Sequence, residues 1–175
     1  MTIRCKLTVA ALVTSTVAAA ALFLSPAPQA QAQGQGRSVT VSGTIYGSLD
    51  FAYPGGPAWV GHALISFDKQ APLTATFVDK GWHEFKPNGG MIGGETITLT
   101  FDGGTLEILG RFESNLGSTP GLVYLHETGS LANGTGAFAG VSGHVTVQGP
   151  AVVPPAGAGA PTWISEIHGV VLGAE

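Results

Sequence analysis

Hydrophobic and polar residues alternate along most of the chain that follows residue 37. At the start of this part, Val39, Val41 and Ile45 fall on one face, and threonine and serine occupy the other. A period of two is typical of a half-buried β-strand. Less regular stretches of the same kind predict further strands at 62–67, 73–78, 82–85, 122–128, 144–148 and 163–172.

The clearest unit is a β-hairpin in the middle of the chain. Residues 96–101 alternate between threonine and a large apolar residue, and Asp102-Gly103-Gly104 follows them. Asp-Gly readily adopts the positive φ angles of a tight turn. Leu106, Ile108 and Phe112 then continue one face of the return strand. The pattern therefore predicts two antiparallel strands joined by a short turn.

Eight or nine such strands, joined mostly by short turns, predict an all-β domain over residues 38–175. Closure into a barrel removes the exposed edges that an antiparallel sheet of this size otherwise has. We therefore expect an eight-stranded antiparallel β-barrel, and the alternative is a two-sheet β-sandwich. Residues 149–161 are rich in proline, glycine and alanine, which predicts a flexible loop before the last strand.

The first 32 residues have the layout of a secretory signal peptide. Arg4 and Lys6 are followed by an apolar stretch at 7–24, then by prolines and the small-residue triplet Ala30-Gln31-Ala32. A membrane anchor is the alternative, because the apolar stretch is nearly long enough to cross a bilayer. The proline pair and the cleavage triplet favour the signal peptide. We therefore expect a secreted or periplasmic protein with a disordered polar leader at 33–37.

Removal of this segment changes the chemistry of the chain. Cys5, the only cysteine, leaves with it, so the mature chain has neither a disulfide nor a cysteine ligand. Five basic residues then face eleven acidic ones, a net charge of −6 with neutral histidines. No basic cluster is present, which argues against nucleic acid as a partner and against electrostatic attachment to a membrane surface. No stable membrane insertion is expected after signal removal.

Four glycines and a phenylalanine shape the segment 134–143, Gly-Thr-Gly-Ala-Phe-Ala-Gly-Val-Ser-Gly. We expect Gly134 and Gly136 to adopt positive φ angles, which cost glycine no Cβ clash. Phe138 supplies a buried anchor for this structural turn. Gly140 and Gly143 allow close approach where the chain re-enters the sheet. The segment lacks the lysine and the following helix that a phosphate-binding loop requires.

This segment resembles the Gly-Thr-Gly-x-Phe-x-Gly-Ala-x-Gly signature of the allene oxide cyclase and dirigent-like barrels, and 144–147 resembles the strand that follows it there. The resemblance implies an eight-stranded antiparallel barrel with an apolar internal cavity. It also implies a possible homo-oligomer, a dimer or a trimer. The acidic catalytic residues of that family match no motif in this chain, so the resemblance supports the fold and leaves the activity open.

Few residues offer chemistry by their pattern. Glu166 and His168 share one face of the last strand, and an inward orientation would place a carboxylate and an imidazole inside an apolar barrel. They are the candidate catalytic residues. Tyr124, His126 and Trp163 are the candidate ligand-pocket residues. The five histidines lack the spacings of zinc sites, so no metal and no other cofactor is expected.

These observations favour a non-catalytic secreted barrel that binds a small apolar ligand or a partner protein. The first alternative is a cofactor-free isomerase or cyclase of the allene oxide cyclase kind. Such an enzyme restrains a reactive substrate in a dry cavity, so a few polar groups suffice. The second alternative is a structural or adhesive surface protein that uses its threonine-rich outer face.

Overall fold

The computed structural model describes residues 38–173, so the predicted signal peptide and leader lie outside the described residues. The fold consists of eight β-strands and one turn of 3-10 helix. The strands are β1 (Ser38–Asp50), β2 (Ala58–Phe67), β3 (Leu73–Phe85), β4 (Met91–Phe101), β5 (Gly104–Leu116), β6 (Leu122–Ala132), β7 (Ser142–Val152) and β8 (Thr162–Leu172), and the 3-10 turn is Gly136–Phe138. No helix long and apolar enough to cross a membrane occurs in this part of the chain.

The strands form a closed antiparallel barrel in sequence order. Each strand pairs with the next, and β1 pairs with β8 over eleven residue pairs, from Ser38 opposite Leu172 to Ser48 opposite Thr162. This last ladder closes the sheet and confirms the barrel over the two-sheet sandwich. Closure leaves the ladder hydrogen bonds of β1 and β8 satisfied by each other, which removes the edge problem at this seam.

Side-chain alternation fills the interior with apolar groups. Ile45, Phe77, Leu99, Ile108 and Ile167 are almost completely buried and pack in one cluster. Eight strands enclose a space that side chains alone can fill. The predicted hairpin is confirmed. The β4–β5 ladder runs from Ile92 opposite Glu113 to Phe101 opposite Gly104, and a two-residue turn joins the strands.

The glycine-rich segment closes one end of the barrel, which we call the Phe138 end. Phe138 is buried there against the rings of Phe67 and Phe101, with ring centroids 6.0 and 4.6 Å away. Gly136 has a φ angle of 58° in the 3-10 turn, as the sequence predicted. Gly134 does not have a positive φ angle. It is needed for a different reason, since a Cβ atom there would collide with the carbonyl oxygen of Phe138.

Two strands extend further than their sequence patterns indicated. The predicted strands at 73–78 and 82–85 are one continuous strand, β3. The predicted loop at 149–161 begins only after Val152, because β7 runs through Gly149 and Pro150. Pro150 pairs with Tyr124 on the β6 side. The β7–β8 ladder is interrupted at these two residues, as expected where proline lacks an N–H group.

Candidate functional site

The candidate catalytic pair suggested by the sequence lies on the outer wall of the barrel. Glu166 and His168 are exposed on β8, with His168 Nε2 3.3 Å from Glu166 Oε2. The inward positions of this strand are Trp163, Ser165 and Ile167. The pair is therefore solvated, and it does not face the apolar interior.

The three candidate pocket residues do not lie on the same side of the barrel wall. Tyr124 and His126 are exposed on the outer face of β6. Trp163 points inward and is buried, with its ring edge against Phe77 at 5.6 Å and near Trp59 at 6.0 Å. Its indole N–H donates a hydrogen bond to Ser165 Oγ. Trp163 thus belongs to the packed interior, toward the end of the barrel opposite Phe138.

Three carboxyl groups lie inside the barrel, toward this opposite end. Asp79 on β3 is 3% exposed, Glu127 on β6 is 2% exposed, and Glu95 on β4 is half-buried. All three occupy positions of the strand alternation that face inward, in series with Phe77, Ile97 and other core residues. No ion pair joins any of them to a basic residue in the described part of the chain.

Glycines at neighbouring inward positions leave space for these carboxyl side chains beside one another. In one inner row, Gly81 of β3, Glu95 of β4, Gly110 of β5 and Gly129 of β6 are successive register partners. Asp79 is diagonal to Glu95 across the β3–β4 ladder, within reach of its side chain. On the other side, the Glu127 carboxyl occupies the place that a Cβ atom at Gly110 would need.

The three carboxyls form a buried row, which we call the carboxyl chain, in which Glu95 interacts with both Asp79 and Glu127. Burial raises the pKa of Asp79 well above its usual range, and the charge of Glu95 adds to this. Burial, followed by the charge of Glu127, raises the pKa of Glu95 to about 10. Burial also raises the pKa of Glu127, to about 7, although its interaction with Glu95 acts in the opposite direction.

Glu127 has a lower pKa than Glu95, about 7 against about 10. It therefore ionises before Glu95, and its pKa lies where a general base works best at neutral pH.

Ionisation of all three carboxyls together would leave buried acceptors without donors. Asp79 Oδ1 and both carboxyl oxygens of Glu127 are buried and have no hydrogen-bond partner among the described residues. A carboxylate accepts hydrogen bonds but cannot donate one, and a buried carboxylate without a donor is costly, so burial favours the protonated acids. Repulsion between neighbouring carboxylates also disfavours ionisation of all three together. At least one of the three carboxyls must therefore stay protonated at neutral pH.

The outer wall approaches the carboxyl chain from the other side. A groove of about 1010 Å³ crosses strands β3 to β8, and its floor includes Gly81, Glu95, Gly110 and Gly129. A smaller groove of about 450 Å³ lies elsewhere on the wall, beside Tyr46 and Ile164. Within residues 38–173, no group of three or more histidine, cysteine or acidic side chains has an arrangement that could hold a metal ion.

The carboxyl chain was missed from the sequence, although a signal for it existed. The inward series Ala75, Phe77 continues to Asp79 at a spacing of two, and Glu95 stands two residues before Ile97. On β6, the candidate pocket residues Tyr124 and His126 lie on the outer face, whereas Glu127 lies on the inner one. The residue two positions beyond the inward apolar residues of each strand is an acid, and this spacing places all three acids inside the barrel.

No protein-family model, curated protein or solved structure matches this chain. The resemblance of the glycine-rich segment to the allene oxide cyclase and dirigent-like barrels therefore stays a prediction. The barrel itself is established by its strand pairing, as described above. The activity has to be considered from the carboxyl chain and its surroundings.

Proposed function

We propose that this protein is a secreted, cofactor-free barrel that moves a proton on a small, uncharged, largely apolar substrate, as an isomerase or cyclase does. The single observation that supports the proposal is the buried carboxyl chain of Asp79, Glu95 and Glu127, in which burial raises the pKa of Glu127 to about 7. Strongly shifted carboxyls in an apolar enclosure are typical of acid–base sites. The predicted signal peptide supports secretion.

Glu95 is the group that would contact the substrate. It is the least buried of the three carboxyls, and its pKa of about 10 keeps it protonated at neutral pH. When a C–H bond of the substrate breaks, its proton passes to Glu95 and the proton of Glu95 passes to Glu127. The electron pair of the C–H bond moves into the substrate. Return of the proton at another atom completes an isomerisation, and the carboxyl chain is restored.

The apolar surroundings favour an uncharged substrate. Phe112 and Leu125 are half-buried inward residues on the strands that carry Gly110 and Glu127, and they lie toward the same end of the barrel. An anionic substrate would be repelled by the negative charge at Glu127. Exclusion of water around the acids keeps their pKa values raised and keeps Glu127 basic enough to drive the transfer.

A nitrobenzisoxazole tests this proposal, because it is small and uncharged and reacts with any positioned carboxylate base. Removal of its ring C–H proton breaks the N–O bond and releases a coloured phenolate. We expect the wild-type protein to accelerate this reaction with a pH dependence centred near 7. We expect Glu95→Gln and Glu127→Gln to lower the rate by at least about 100-fold, in line with the loss of a general base.

Glu166→Gln is the matched control, because it makes the same chemical change on the exposed outer wall. It should keep the wild-type rate. Circular dichroism of each variant checks that the barrel is folded, and glutamine is a close neutral substitute for a protonated glutamate. Wild-type rates in both Glu95→Gln and Glu127→Gln would contradict the proposal, as would equal losses in all three variants.

Non-catalytic binding of a small apolar ligand is the second candidate function. The half-buried apolar side chains of Trp59, Phe112 and Leu125, all at inward positions toward the end opposite Phe138, favour it. Native mass spectrometry of protein purified from its own host would then show a bound small molecule. Binding of the ligand without any effect of Glu127→Gln on chemistry would select this candidate over the isomerase.

A further inference from the structure

Strand β3 is longer than the neighbour that covers one of its sides. Pairing between β2 and β3 ends where Trp59 faces Asp79. Pairing between β3 and β4 continues to Phe85 opposite Met91. Residues 80–85 are therefore paired on the β4 side and have no strand partner on the other side within the described residues. We call this segment the free edge.

The free edge is exposed and carries large apolar groups. All six of its residues are exposed, and Trp82 and Phe85 have relative exposures of 56% and 74%. The loop between β1 and β2 reaches it at Lys80, whose Nζ donates to the Pro54 carbonyl oxygen at 3.0 Å. Unpaired strand edges with exposed apolar side chains are sites where another strand adds.

We propose that a second copy of this chain pairs with the free edge, so that two β3 strands run antiparallel across a twofold axis at Trp82. The charges of the edge support this partner. A twofold axis at Trp82 places Lys80 opposite the partner's Glu84, and Glu84 opposite the partner's Lys80. Opposite charges directly across an antiparallel pair are stabilising, and like charges there are destabilising. The edge is thus complementary to itself, as an isologous interface requires.

Both charged groups are available for these pairs. Glu84 makes no hydrogen bond or ion pair in the described part of the chain. Lys80 uses one of its three N–H donors on Pro54 and lies 4.5 Å above the Tyr53 ring. Lys80, Trp82 and Glu84 also share one face of the strand, because they are two residues apart. Two ion pairs would then flank a central pair of tryptophans.

Charge reversal tests this proposal, because two different variants can be mixed so that each copy carries a different substitution. In Lys80→Glu, glutamates oppose glutamates at both ends of the interface, and in Glu84→Lys, lysines oppose lysines. Each single variant should dimerise at least about tenfold more weakly than wild type. The double variant Lys80→Glu/Glu84→Lys restores opposite charges and should recover the wild-type affinity. An equal mixture of the two single variants should form heterodimers.

Sedimentation velocity over a series of protein concentrations measures these equilibria. Lys69→Glu is the control, since it reverses an exposed lysine in the turn between β2 and β3, away from the free edge, and it should dimerise like wild type. A wild-type protein that stays monomeric at every concentration would overturn the proposal. So would a dimer that is insensitive to both single charge reversals, or a mixture of the two that fails to associate. The heterodimer result also separates loss of pairing from a folding defect.

Discussion

Gly110 shows how one residue without a side chain permits an unusual interior. It lies between Glu95 and Glu127, and the Glu127 carboxyl fills the space that its Cβ would occupy. A larger residue at this position would force the Glu127 carboxyl out of its place beside Glu95. The requirement for glycine here is a matter of space, because Gly110 does not have a positive φ angle.

At this scale we expect Gly110→Ala to lower the free energy of unfolding by about 1–3 kcal/mol, the usual cost of overpacking a core. Combination with Glu127→Ala should recover part of that loss, because the collision is then removed. Urea unfolding of the two single variants and the double variant measures this coupling. Gly103→Ala is the control, since a Cβ atom there makes only an ordinary contact with Ala137. Fully additive losses would contradict the role given to Gly110.

Single residues were also where the sequence was least informative. Ile164 and Val170 lie outside and Trp163 and Ile167 inside, so both faces of β8 look apolar in the sequence. The face that holds Glu166 and His168 could not be assigned from such a pattern. Barrel closure decides it, because β8 must match the inward positions of both β1 and β7.

Among the elements, the turn at 134–143 closes one end of the barrel. Its phenylalanine packs on two further phenylalanines from β2 and β4. The backbone N–H groups of Thr135 and Ala137 donate to the start of β5 and to the turn before it. The sequence predicted this structural turn and the β4–β5 hairpin correctly, because local turn chemistry and strict alternation specify both. It divided β3 in two, since the alternation weakens around Gly81.

The turn supports a prediction about stability. Phe138→Ala should lower the free energy of unfolding by about 3–5 kcal/mol, because it removes a buried ring and leaves a cavity. Phe138→Leu keeps most of the volume and should cost less. Chemical denaturation measures both changes. A loss below about 1 kcal/mol in Phe138→Ala would show that the ring does not hold this end of the barrel closed.

For the whole molecule, the buried acids couple stability to pH. An unfolded glutamate titrates near pH 4.3, whereas burial raises the pKa of Glu127 to about 7 and that of Glu95 to about 10. Between these values the folded barrel holds more protons than the unfolded chain. Their stabilising contribution is therefore complete below about pH 4.3 and is lost as the pH rises through the folded pKa values.

We therefore expect the free energy of unfolding to fall as the pH rises from about 5 to 8. The slope is about 1.4 kcal/mol per pH unit for each extra proton held by the folded state. Glu127→Gln should reduce this slope, because glutamine keeps the neutral form at every pH. Calorimetry at a series of pH values measures the effect, with Glu166→Gln as the control. Stability that rises over this range in the wild type would contradict the assignment.

Closure of the barrel was predictable because the strand number and the short turns allow few other arrangements. The function of its interior was not, because three acids placed far apart in sequence meet only after closure. Carbon NMR of selectively labelled glutamate carboxyls, titrated with pH, tests the central claim most directly. We predict a midpoint near pH 7 for Glu127 and no deprotonation of Glu95 at or below that point. Midpoints for both groups in the ordinary range of about 4–5 would contradict the account.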